Sequence, residues 1–117
     1  MTLTILHNPR CSKSRQTLAL IEQAGITPKI IKYLDNPPTK AELKTILEKL
    51  GFETPQELMR KGEAIYKELG LKNEIDPDKL IDAMIAHPKL IERPIVQSEK
   101  GAILGRPPEN VNKLLRD

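Results

Sequence analysis

A single cysteine, Cys11, is all the thiol chemistry this chain contains, which excludes an internal disulfide and any dithiol redox pair. Tryptophan is absent and there are only one Phe and two Tyr, so no stacking platform for single-stranded nucleic acid is available. Net charge is just +3, with no block of lysine and arginine, and this argues against a nucleic-acid partner while leaving room for an anionic ligand. No apolar run approaches the roughly 20 residues of a membrane span. The start, Met1-Thr2-Leu3-Thr4, lacks the basic and long apolar regions of a signal peptide. With one cysteine and no export signal, a cytoplasmic location is expected. Metal binding is not expected, because no further ligands cluster with Cys11.

At 117 residues, the chain reads as one domain with one core. Thr2–Leu6 reads as a short buried strand, central in a sheet. A helix with Leu18, Ile21 and Ala24 inward should begin near Ser12 and stop at Gly25. Lys29–Leu34 has strand composition, and strand, helix, strand in about 30 residues reads as a right-handed parallel crossover. From Asp35 the chain changes character. Thr39-Lys40-Ala41-Glu42 is a capping box before Leu43, Ile46, Leu47 and Leu50, and Thr54-Pro55-Gln56-Glu57 repeats the device. A segment around Glu63–Leu69 and another opened by Asp76-Pro77 and stopped by His87-Pro88 complete a helical insertion over about 39–86. Pro94–Ser98 and Ala102–Leu104 form a hairpin, and a last helix places Val111, Leu114 and Leu115 inward. The sum is an α/β fold, a mixed sheet of about four strands with helices around it.

Cys11 falls where the first strand turns into the first helix, the edge of an open α/β sheet at which ligands bind. A lone cysteine among apolar residues would be read as a small buried hydrophobe. This one stands in His7-Asn8-Pro9-Arg10-Cys11-Ser12-Lys13-Ser14-Arg15. Unpaired helix N–H groups, the helix dipole, Arg10, Lys13, Arg15 and, when protonated, His7 all favour a thiolate over a thiol. His7 either tunes the thiol or caps the turn, and Ser14 and Arg15, at i+3 and i+4, can reach back toward Cys11. Position 14 is serine, so no Cys-x-x-Cys switch exists, and Arg15 comes too early for a tyrosine-phosphatase loop. His87, before Pro88 and among apolar residues, reads as structural.

Three arginines stand at element boundaries: Arg60 after Leu58-Met59, Arg93 before Pro94, and Arg106 between Gly105 and Pro107. Each offers a planar fork of donors suited to an oxyanion, although pairing with Glu57, Glu92 or Glu109 would account for them equally well. The cysteine loop, Asn36-Pro37-Pro38, Leu58-Met59-Arg60-Lys61, Leu90-Ile91-Glu92-Arg93-Pro94-Ile95 and Gly105-Arg106-Pro107 together resemble the glutaredoxin-dependent arsenate reductase family. The resemblance runs in order over essentially the whole chain. It implies a thioredoxin-like fold with the helical insertion, Cys11 as nucleophile toward arsenate or a similar oxyanion, and Arg60, Arg93 and Arg106 as anion ligands. It further implies a cis Pro94 facing the cysteine, no bound cofactor, glutathione as co-substrate and glutaredoxin as partner. Arg10 and Ser12-Lys13 stand where the best-known members carry Ala and Gly-Thr, a departure that bears on substrate identity. Two other activities share this fold: a glutathione-linked thiol oxidoreductase and a non-enzymatic Spx-type transcription regulator. The regulators commonly use the second cysteine that Ser14 replaces.

Overall fold

β1, Thr4–Leu6, is the strand from which the sheet is built, and the computed structural model describes residues 2–115 around it. Leu3, Ile5 and Leu6 are all buried, as expected of a strand covered on both faces. The chain then enters α1, Ser12–Gln23, which ends at Gly25, a glycine at φ 81° where a side chain would be strained. β2, Lys29–Ile31, returns parallel to β1 with Thr4 opposite Lys29 and Leu6 opposite Ile31. β3, Ile95–Ser98, lies antiparallel on the other side of β1 and is joined by a hairpin to β4, Gly101–Leu104. The order β2-β1-β3-β4 makes β1 and β3 the central pair.

Over the described residues the chain forms two compact units, one of residues 2–36 together with 93–115, the other of Pro37–Glu92. In the first, Leu3 and Ile5 of the first strand region, Ile21, Val96, Val111 and Leu114 form the core. Val111 and Leu114 come from a 3₁₀ turn, Pro108–Val111, and the short α5, Asn112–Leu115. The second unit contains α2, Lys40–Leu50, α3, Ala64–Glu68, and α4, Pro77–Ala86, and it extends beyond the 39–86 read from the sequence. The capping box of α2 is formed as anticipated: Thr39 accepts from the Glu42 N–H, and Glu42 accepts from the Thr39 N–H. Thr54-Pro55-Gln56-Glu57 opens only a 3₁₀ turn, Pro55–Leu58, after which an isolated bridge pairs Met59 with Ile91. That antiparallel bridge was not legible as a strand because it is one residue long.

Two expectations change. β2 stops at Ile31 and not at Leu34, because Asp35 and Asn36 N–H groups both fold back onto the Lys32 carbonyl and turn the chain. Ile21 is buried and Leu18 partly buried against the core as expected, but the buried face of α1 also carries Ser14 and Thr17, whereas Ala24 is exposed. Hydrophobic periodicity missed Ser14 and Thr17 because both are polar, but each is satisfied locally, Thr17 by donating to the Lys13 carbonyl at 2.8 Å.

Thr17 also explains Gly105. A Cβ on Gly105 would lie 2.5 Å from Thr17 Oγ1 and 2.8 Å from Pro94 Cγ, so α1 and the end of β4 pack together only through a missing side chain. Gly105→Ala is expected to destabilise the fold by about 1–3 kcal/mol through overpacking, read as a lower midpoint in urea unfolding.

Candidate active site

The loop between β1 and α1 is tied down on every side. The His7 N–H donates to the Ile31 carbonyl at 2.8 Å, extending the β1–β2 ladder by one bond. Asn8 then starts a turn: the Cys11 N–H donates to its carbonyl at 3.0 Å and the Arg10 N–H to its side-chain oxygen at 3.0 Å. Pro9, with its fixed φ, suits the second position of such a turn. Cys11 is the N-cap of α1, half-buried, with extended φ −91° and ψ 123°, and its side chain makes no capping hydrogen bond. The N–H groups of a helix's first turn have no intrahelical acceptor, and the Cys11 side chain caps none of those of α1.

Ser14 and Arg15 support this loop through its backbone. Fully buried Ser14 Oγ accepts from the Asn8 N–H at 3.0 Å and lies 2.6 Å from His7 Nδ1, while Arg15 Nη1 donates to the Pro9 carbonyl at 3.0 Å. His7 is itself only 6% exposed. Burial first, then the charges of Lys32 and Arg15, push its pKa below the ordinary 6.5. A lowered pKa favours the neutral imidazole at pH 7, one of the two states the sequence left open. Lys32 was not singled out in the sequence. It follows β2, and a parallel crossover brings the carboxyl ends of β1 and β2 to the same edge.

Because the folded-state pKa of His7 is lowered, the unfolded chain binds the proton more readily. The stability associated with neutral His7 is fully present above pH 6.5 and is lost as the pH falls below that value toward the folded-state pKa. Urea unfolding followed from pH 7.5 downward is expected to show this decline. In His7→Asn the dependence should be flatter, whatever the variant's absolute stability.

The sheet register brings two of the three arginines to the cysteine's end of the sheet. Leu6 pairs with Ile95 and Ile95 with Leu104, so the chain entering β3 and the chain leaving β4 lie at the same edge as the loop leaving β1. Arg93 and Arg106 stand there, and Arg106 Nη1 donates to the Arg93 carbonyl at 3.3 Å. The Arg93–Pro94 bond is cis, as the resemblance implied. So is Arg106–Pro107, which no sequence feature had marked. Arg60 belongs to the other unit, where its N–H donates to the Leu90 carbonyl at 2.7 Å and its Nε lies 3.6 Å from Glu92 Oε1. The Glu92 pairing considered for it is therefore present, whereas Glu57 is occupied in the second capping box. His87 caps the C-terminus of α4, in keeping with a structural role. Among the described residues no three His, Cys, Asp or Glu side chains gather in a group that could hold a metal ion, and no helix is long and apolar enough to cross a membrane.

A βαβ unit with a cysteine at its helix N-cap, extended by an antiparallel hairpin in the order β2-β1-β3-β4, is a thioredoxin-like fold. Residues 6–114 match the ArsC family. The arsenate reductase of Neisseria meningitidis serogroup A is 49% identical over 114 residues, 97% of either chain. That of Escherichia coli K12 is 45% identical over 116 residues, 98% of this chain and 82% of the other. The solved structure of an arsenate reductase from Vibrio cholerae superposes with a TM-score of 0.93 at 50% identity, covering 97% of each chain. This chain belongs to the ArsC family.

Proposed function

We propose that this protein is a cytoplasmic arsenate reductase in which Cys11 is the only nucleophile and glutathione and glutaredoxin supply the remaining thiols. The observation that carries the reading is Cys11 at an N-cap without a side-chain capping bond, in a chain whose relatives are arsenate reductases. Arsenate is a tetrahedral oxyanion, and the first-turn N–H groups of α1 suit its charge beside the sulfur. Arg93 and Arg106 stand at the same sheet edge, and the resemblance assigns Arg60 to the same anion.

The Cys11 thiolate attacks arsenic, an S–As bond forms, and one As–O bond breaks with the oxygen leaving as water. Guanidinium donors neutralise the charge that builds on the remaining oxygens. Glutathione then attacks the Cys11 sulfur: an S–S bond forms, the S–As bond breaks, and arsenic departs with the electron pair as arsenite, taking the glutathione proton on oxygen. Arsenic gains two electrons and two sulfurs lose one each. With one cysteine in the chain, the second sulfur must come from outside. A glutaredoxin thiol exchanges with the mixed disulfide and returns Cys11. No bound cofactor takes part in this sequence.

The test is NADPH oxidation in a coupled assay containing glutathione, glutaredoxin and glutathione reductase. Oxidation that depends on arsenate supports the proposal. Turnover of glutathione mixed disulfides without any response to arsenate would instead identify a thiol oxidoreductase of the same fold.

A further inference from the structure

A groove of about 420 Å³ runs beside the cysteine loop, lined by His7, Asn8, Pro9, Arg10, Lys32, Leu34 and Asp35. Its volume lies in the range of small-molecule sites. Arg10, one of its lining residues, immediately precedes Cys11, so the groove adjoins the loop that carries the sulfur.

The polar groups of the groove have a definite pattern. Asn8 N–H already donates to Ser14 Oγ, and Ser14 is fully buried, so the hydroxyl proton needs an acceptor; His7 Nδ1, 2.6 Å away, is the one the structure provides. The proton of the neutral imidazole is thereby assigned to Nε2, which becomes a hydrogen-bond donor and the ring's remaining polar atom. The groove is lined by two cations, Arg10 and Lys32, against a single carboxylate, Asp35, with the His7 imidazole and the Asn8 amide as neutral polar groups and Leu34 as an apolar wall that is 44% exposed. The matching ligand carries two carboxylates and one ammonium on a short, partly apolar backbone.

We propose that this groove docks the co-substrate thiol, a small peptide with the charge pattern of glutathione, whose carboxylates meet Lys32, Arg10 and His7 Nε2 and whose ammonium meets Asp35. The inference rests on the reading of the protein as a thiol-dependent arsenate reductase and adds to it where the electron donor sits. It places the thiol on the β2 side of the cysteine loop, away from the Arg93 and Arg106 side that is proposed for the oxyanion.

S-methylglutathione, which binds but cannot react, is the direct probe. Calorimetric titration is expected to show binding to the parent, weakened about tenfold in Lys32→Glu, where an attraction becomes a repulsion, and largely restored in Lys32→Arg. The ratio of arsenate-reduction rates with glutathione and with uncharged 2-mercaptoethanol should fall by a similar factor in Lys32→Glu. Binding to the parent that Lys32→Glu leaves unchanged would overturn the groove, as would competitive displacement of S-methylglutathione by sulfate, which would make it part of the oxyanion site. A parent that reduces arsenate equally well with either thiol and does not bind the probe would overturn both the groove and glutathione as electron donor, while the reductase activity itself would stand.

Discussion

Cys11→Ser is expected to lose arsenate-dependent turnover by at least about 10⁴-fold, to the background of the assay, while still folding and binding sulfate. Serine preserves size but not chemistry. Its hydroxyl is not ionised near neutral pH, and oxygen cannot enter the disulfide through which two electrons reach arsenic. No other cysteine in the chain can substitute. Stability should not suffer, because Cys11 is half-buried and serine is a better N-cap than cysteine, so the melting temperature is expected to hold or rise. Since the new hydroxyl could occupy the first-turn N–H groups and thereby weaken anion binding, Cys11→Ala provides the second comparison: equally inactive, with those donors open. Coupled turnover, calorimetric sulfate binding and thermal unfolding measure the three quantities separately. Residual activity within tenfold of the parent would show that arsenic does not bond to Cys11.

The arginines should give the next largest effects. Arg93→Ala and Arg106→Ala are each expected to weaken oxyanion binding, and with it kcat/KM for arsenate, about tenfold to a hundredfold, the equivalent of a charge-assisted hydrogen bond worth roughly 1.5–3 kcal/mol. Lysine should restore little, because it keeps the charge but not the planar fork. The two variants should not be additive. Arg106 donates to the backbone carbonyl of Arg93, so the two positions are in contact, and coupling is expected between groups that share partners. Arg60→Ala is expected to act in the same direction, and its pairing with Glu92 supplies a control. If Arg60 serves only that ion pair, Glu92→Gln will reproduce the effect of Arg60→Ala on stability, and neither will change arsenate affinity. Should Arg93→Ala and Arg106→Ala both bind sulfate and turn over like the parent, the oxyanion site lies elsewhere.

Local signals carried much of the architecture because the chain states them within a few residues. The capping box at Thr39 and Glu42, the Gly25 stop after α1 and the Pro77 start of α4 each act through hydrogen bonds or backbone preferences inside one turn. The central position of β1 followed from a short run, Thr2–Leu6, that alternates too little to distinguish two faces, and the cysteine's place at a helix N-cap followed from the strand-to-helix order. The proposed dependence on external thiols rests only on the count of one cysteine.

What tertiary structure decided was pairing at a distance and the ionic state that follows from it. Ser14 was legible as a side chain able to reach back toward Cys11, but its burial and its bonds to His7 and Asn8 depend on how the loop folds over α1. His7 could have carried a proton or not; burial together with Lys32 and Arg15, groups that only the folded chain gathers, keeps it neutral at pH 7. Gly105 looked like a companion of Arg106, whereas its lack of a side chain is needed by Thr17, far earlier in the chain. Arg93 and Arg106 share an edge with Cys11 because β1, β3 and β4 pair in one particular register. Residue type alone holds no record of that register: a slip of one residue would turn each strand's side chains to the opposite face, and only the packed sheet chooses between the two.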